Sequence, residues 1–240
     1  MYIFSNYQVK SLLIGFLGTL FLLSSCSDSS NPGVEEAAAL AAETEQMDVV
    51  GELALKNTSN DVYRYSTEIP EDWTETTHIA DDGSVIINMY QEDKIASVDL
   101  PITIQSQPAI DHIDLYPKGL NTKFPYGENL RLSKYNGKVP VAGLWDEDKS
   151  RVFLLGNGEV WAYLLYPEDR PNGWEKDGFI FAQIAIDNFS SECYDEITGD
   201  LKEIQICKPI AGDRLQYYGR VNPESRAYVT HSLAGLTFEN

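Results

Sequence analysis

No uncharged apolar run in this 240-residue chain reaches the roughly 18 residues that a membrane-spanning helix needs. The longest, Ser11 to Leu23, has 13 residues, and Phe179 to Ile186 is shorter and broken by Gln183. Basic residues are also scarce, with 18 Lys and Arg against 37 Asp and Glu and a net charge of -19. Such a surface repels nucleic-acid phosphates and anionic lipid headgroups, which argues against either as an electrostatic partner. Histidines number three (His78, His112 and His231), and no HExxH or other spaced set joins them. Neither a GxSxG elbow nor a phosphate-binding glycine loop occurs. His112 stands between Asp111 and Asp114, which reads as a solvated loop before it reads as a metal site. Adjacent acids at Asp81-Asp82, Asp146-Glu147-Asp148 and Asp195-Glu196 are what 37 acidic residues produce by chance, and none has calcium-loop spacing. The sequence therefore assigns no catalytic residue, no metal ligand and no cofactor.

What is present begins at the amino end. Lys10 precedes the apolar stretch, which closes on Leu23-Ser24-Ser25-Cys26. Thirteen residues is the length of a signal-peptide apolar region. An aliphatic residue, two small residues and Cys resemble the lipobox of bacterial lipoproteins. The resemblance implies cleavage before Cys26 and acylation of its thiol and of the new amine. Acyl chains contribute about 0.8 kcal/mol per buried CH₂, so they hold a soluble domain on a membrane without a protein span. Ser27, rather than Asp, follows the Cys and resembles the outer-membrane default of enteric-type sorting. Lys10 is the one charge before Cys26, so the remainder has 18 basic residues less one against 37 acidic ones, a net of -20.

Three segments follow from composition: residues 1–25 as a lipoprotein signal peptide, 26–48 as a lipidated tether, and 49–240 as a single globular domain. Ser27 to Val34 is rich in Ser, Asp, Asn, Pro and Gly, and Glu35 to Gln46 has helical tendency with few large apolar residues. With Cys26 assigned to lipid, Cys193 and Cys207 remain as an even pair in a disulfide-permitting compartment. Their 13-residue spacing gives a crosslink contributing about 3 kcal/mol in the chain-entropy model. Tyr194 to Asp200 reads as a turn and Ile204 to Cys207 as a strand.

Strand patterns appear at Val62–Ile69, Ser84–Tyr90 and Ile95–Ile104, with Trp73 folding onto the core. Ile110 to Pro125 reads as irregular. Asn136-Gly137 between strand-like runs predicts a hairpin over 129–144, and Gly156-Asn157-Gly158 a second over 151–166. Apolar residues at 180, 181, 184 and 185 predict a helix over 175–187. Asn222-Pro223-Glu224 is a cap, a first-turn proline and an acid, and predicts a helix to Leu233, followed by a short strand at Leu236–Phe238. The fold class is α+β: a hairpin-rich antiparallel sheet with one to three packed helices. Tyr65 to Trp73 resembles the strand-Pro-x-x-Trp opening of Mog1/PsbP-like domains, which implies a compact α+β sandwich acting in binding or assembly.

Aromatics are the notable surplus. Trp145, Trp161, Tyr163, Tyr166 and Trp174 fall within thirty residues. Alternation puts Trp161, Tyr163 and Leu165 on one strand face, which reads as core. The alternative is an exposed patch of Trp145, Trp161, Tyr163 and Trp174 for an envelope protein or glycan. Tyr217-Tyr218 poses the same choice. The function expected is a membrane-anchored envelope lipoprotein with a non-catalytic binding or accessory role. The alternative is an envelope hydrolase or metal-dependent enzyme, which requires His112 or His78 to meet distant acids in a cleft.

Overall fold

The computed structural model describes residues 53–91, 108–120, 127–140, 143–208 and 211–239. Cys26, the signal segment, the tether and the Ile95–Ile104 strand lie outside the described residues. No described helix is long and apolar enough to cross a membrane.

The chain is built around a seven-stranded antiparallel sheet in the order β3-β4-β5-β9-β8-β7-β6. Its strands are β3 (Trp73–Ile79), β4 (Val85–Gln91), β5 (His112–Tyr116), β6 (Asn129–Arg131), β7 (Arg151–Leu154), β8 (Val160–Leu165) and β9 (Phe179–Gln183). Every residue of β5, β8 and β9 is buried, as are the first six of β4. Strands covered on both faces read as continuous apolar runs, because neither face has to be polar. Val, Ile and aromatic residues fill them, and these side chains suit a pleated interior.

A three-stranded sheet combines β1 (Leu55–Asn60), β2 (Tyr65–Pro70) and β13 (Thr237–Phe238). β2 alternates, burying Tyr65, Thr67 and Ile69. The helix α1 (Pro223–Ala234) packs on β2, where Thr67 Oγ1 donates to the Ser232 carbonyl at 2.5 Å. Asn222 caps this helix by accepting from the Ser225 amide at 2.9 Å, an interaction worth about 1 kcal/mol. A second three-stranded sheet has the order β11-β10-β12, from β10 (Ile186–Tyr194), β11 (Leu201–Lys202) and β12 (Arg214–Val221). Between Asp187 and Ser190 the β10–β12 register shifts, and Asn188 sits there in the left-handed region at φ 51°. Opposite it, Gly219 has φ 145°, and a Cβ there would meet the Asp187 carbonyl at 2.8 Å. The bulge thus needs a residue tolerant of positive φ on one strand and no side chain on the other.

Several expectations hold. The 151–166 hairpin forms as β7 and β8 about Gly158 at φ 87°, α1 starts at Pro223, and β13 closes the chain against β2. Trp73 is buried at the start of β3. Others are overturned. Residues 179–194 form β9 and β10 in place of a helix over 175–187. Residues 180 and 181 lie on the fully buried strand β9 and 184 and 185 on the buried link into β10, so a buried extended chain satisfies these apolar neighbours as well as one helix face does. The Asn136-Gly137 hairpin is absent among the described residues. β6 instead breaks into a 3-10 turn at Leu132–Lys134 and spends its hydrogen bonds on β7, so tertiary pairing overrides the local turn signal. The segment read as irregular after Ile110 contains β5, an interior strand of the large sheet paired with β4 and β9. Ile204 to Ile206 is a 3-10 turn where a strand was expected. The molecule is mostly antiparallel sheet with one α-helix among the described residues, so it is more sheet-dominated than the α+β expectation.

Candidate functional site

A cleft of about 430 Å³ opens where α1 begins. Register places its walls. Trp73 pairs with Gln91 at one edge of the large sheet, and Asp111 immediately precedes β5. On the other side, the Asn222 amide donates to the Ala185 carbonyl at 2.9 Å, and the Ala185 amide donates to Ser225 Oγ at 2.8 Å. These two bonds fix the first turn of α1 to the start of β10. Asp72, Asp111, Asp187 and Glu224 all line the cleft, beside Asn222 and Tyr228, and among the described residues no Lys or Arg does. Asp187 and Glu224 stand at the positive end of the helix dipole, which favours carboxylates. Asn222 Nδ2 also donates to Asp187 at 3.2 Å. Burial raises the Tyr228 phenol above its ordinary range, and Glu224, Asp72 and Asp111 push in the same direction. Three carboxylates therefore act on one phenol. The arrangement attracts a positively charged group and offers it several acceptors.

Beside the cleft, inside the sheet, lies a polar row. Asn88 Nδ2 donates to Asp114 Oδ1 at 2.8 Å, and Tyr116 OH faces Asp114 Oδ2 at 3.4 Å. His112 Nε2 is also 3.4 Å from Asp114, and Gln183 Nε2 donates to the Ile110 carbonyl at 2.6 Å. All four side chains other than Tyr116 are fully inaccessible. Burial works to lower the His112 pKa, but the neighbouring Asp114 carboxylate, the Ile110 carbonyl and Asp111 outweigh it and the net direction is upward. His112 is thus a core histidine with partners, and the solvated-loop reading of Asp111–Asp114 is corrected.

The histidines do not converge. His78 on β3 and His112 on β5 have β4 between them and stand four register positions apart, roughly 17 Å by strand spacing and rise. His231 lies on α1 and meets Glu68 at 2.9 Å. Among the described residues, the one group of ligand-type atoms gathered within 4.8 Å is Cys193, Cys207 and Asp213. Its sulfurs are joined in a disulfide, and Asp213 accepts from Lys202 Nζ at 2.7 Å and the Lys208 amide at 2.8 Å.

The four aromatics of the expected patch are buried: Trp145 2%, Trp161 1%, Tyr163 4% and Trp174 5% exposed. Trp161 packs between Phe153 and Tyr217, and Trp174 donates from Nε1 to the Tyr63 carbonyl at 2.8 Å. They form core, and only Trp145 borders a hollow, one of about 460 Å³ that also touches Tyr135 and Lys138. Tyr217 and Tyr218 divide the same way. Tyr217 is buried, while Tyr218 points outward and donates to Glu192 at 2.7 Å.

Cys193 and Cys207 are bonded with Cα atoms 6.0 Å apart. Cys193→Ala with Cys207→Ala is expected to lower stability by about 3 kcal/mol, a fall in Tm of about 6 to 12 °C. A thermal scan of the oxidised chain against the variant reads this directly. Inside the loop, Asp195 lies below its ordinary 3.8, held by the Thr198 and Ile197 amides and then by Lys202. Asp213 is lowered by Lys202 first and by the Lys208 amide. Carboxyls depressed by folding stabilise above the unfolded pKa and lose that contribution as pH falls through the lower folded value. Amide exchange at Ile197, Thr198 and Lys208 is therefore expected to stay slow at pH 5 and to accelerate below pH 3.8, beyond the intrinsic pH dependence.

Comparison with models of known families, with curated proteins and with solved structures gives no match. The cleft was not visible in the sequence, because its acids come from four separated places. The adjacent acids that were visible serve turns: Asp82 Oδ1 accepts from the Ser84 amide and Asp146 Oδ1 from the Lys149 amide.

Proposed function

We propose that this chain is a bacterial envelope lipoprotein, anchored through Cys26 and carrying a non-catalytic binding domain. The Leu23-Ser24-Ser25-Cys26 pattern supports the anchor, and Ser27 supports an outer-membrane address. Residues 27–48 are the tether in this reading. The observation that carries the binding role is the cleft, where Asp72, Asp111, Asp187 and Glu224 gather without a basic residue among the described residues of the wall. It fits an ammonium or guanidinium group on an envelope protein or glycan partner. A lone carboxylate pair on a surface attracts weakly, whereas several acceptors in a concave site fix the orientation of a cationic group.

Titration calorimetry with a tri-lysine peptide tests the site. Asp72→Asn with Glu224→Gln is expected to weaken binding at least tenfold, and Asp81→Asn with Asp82→Asn, which removes the same charge elsewhere, to leave it unchanged. Equal weakening by both variants would mean diffuse attraction to an acidic protein and would overturn the site.

A further inference from the structure

The disulfide loop presents an apolar surface that nothing described so far uses. Among the described residues, four of the eight exposed large hydrophobic side chains fall within ten consecutive residues: Ile197 92%, Leu201 66%, Ile204 43% and Ile206 56% exposed. Single exposed aliphatics are ordinary, but a cluster on one arm marks an interaction surface. The arm is also held in shape. Tyr194 pairs with Leu201 and Cys193 with Lys202, and the Cys193–Cys207 bond closes the loop. Asp195 Oδ1 accepts from the Ile197 and Thr198 amides at 2.9 and 3.0 Å. Lys202 Nζ lies 2.7 Å from Asp213 and 3.3 Å from Asp195. Because these bonds order the arm before any partner arrives, little further entropy is lost on docking.

Charge selects the occupant. Asp195, Glu196, Asp200 and Glu203 border the aliphatics and outnumber the cations of the arm, which are Lys202, held by Asp213 and Asp195, and the exposed Lys208. An acidic rim repels an anionic membrane and a second copy of a chain with net charge -19. We infer that this arm docks a separate protein that offers an apolar groove rimmed by Lys or Arg. The surface is distinct from the cleft. Asp187 and Tyr194 stand at opposite ends of β10, roughly 20 Å apart by strand rise.

The test uses the full chain in mild detergent and a fluorescent 18-residue amphipathic Lys/Leu peptide, followed by anisotropy. Ile197→Ser with Leu201→Ser and Ile206→Ser is expected to weaken binding at least tenfold, with the disulfide intact by mass and the circular dichroism unchanged. Asp81→Asn with Asp82→Asn is expected to bind this peptide as the parent does, and the triple Ser variant is expected to keep the parent's tri-lysine binding at the cleft, so failure of the cleft reading and failure of this one are distinguishable. A Glu/Leu peptide of the same length is expected to bind at least tenfold more weakly. Equal binding by the triple Ser variant and the parent would overturn the proposal. So would protection of amides 196–206 by phosphatidylcholine nanodiscs alone, which would make lipid the occupant, or a parent dimer that the Ser changes dissolve.

Discussion

Asp114→Ala is expected to destabilise the domain by about 3 to 5 kcal/mol, more than its small loss of volume explains. Asp114 sits fully buried on the interior strand β5 and is the shared acceptor for Asn88 at 2.8 Å, with Tyr116 and His112 each at 3.4 Å. Truncation deletes the acceptor and leaves an amide and an imidazole in the interior without it. A buried donor that loses its partner costs the full desolvation of that group. Removing the histidine as well should return part of the loss, so His112→Leu with Asp114→Ala is expected to be less destabilised than the sum of His112→Leu and Asp114→Ala. Urea unfolding of the two single variants and the double variant measures the coupling. A single-variant loss below about 1 kcal/mol would show that the row is solvated and not a structural part of the core.

Trp161→Ala is expected to cost about 3 to 5 kcal/mol, the range for emptying a large aromatic site. Trp161 is 1% exposed, with ring centroids 5.9 Å from Phe153 and 5.0 Å from Tyr217, the latter edge-on at 76°. It therefore ties β8 of the large sheet to β12 of the small one, and deleting it creates a cavity at the joint between them. Trp161→Phe keeps an aromatic ring against both neighbours and is expected to lose less. Guanidinium unfolding followed by far-ultraviolet circular dichroism separates the two variants. A near-neutral Trp161→Ala would return this residue to the exposed binding face that its burial argues against.

The elements legible in advance were those whose signals are local. Asn222-Pro223-Glu224 caps a helix through contacts within four residues, and Gly156-Asn157-Gly158 closes its turn through local bonds, the Gly158 amide to the Leu155 carbonyl and the Glu159 amide to Asn157 Oδ1. The Cys193–Cys207 pairing followed from parity and compartment. Elements that depend on distant partners were misread. His112-Ile113-Asp114-Leu115-Tyr116 was hidden in a segment that Pro117, Gly119 and Pro125 punctuate and whose acids flanking His112 look solvated, although its own alternation is a strand's. In the fold those polar side chains satisfy Asn88 and one another, so a polar face becomes an interior one. Phe179 to Ala185 reads equally as helix or strand, because burial on every side erases the periodicity that distinguishes them. The cleft joins residues 72, 111, 187 and 224, and no window of sequence contains it.

The anchor proposed at Cys26 would set where the proposed cleft and arm sites work. Intact-mass spectrometry of the chain purified from envelope membranes tests it most directly. The expected species begins at Cys26, carries added acyl chains on that residue and retains the Cys193–Cys207 disulfide, while Cys26→Ser yields an uncleaved, unacylated chain. A parent chain that begins elsewhere, or that begins at Cys26 with a free thiol and an unmodified amine, would contradict the account.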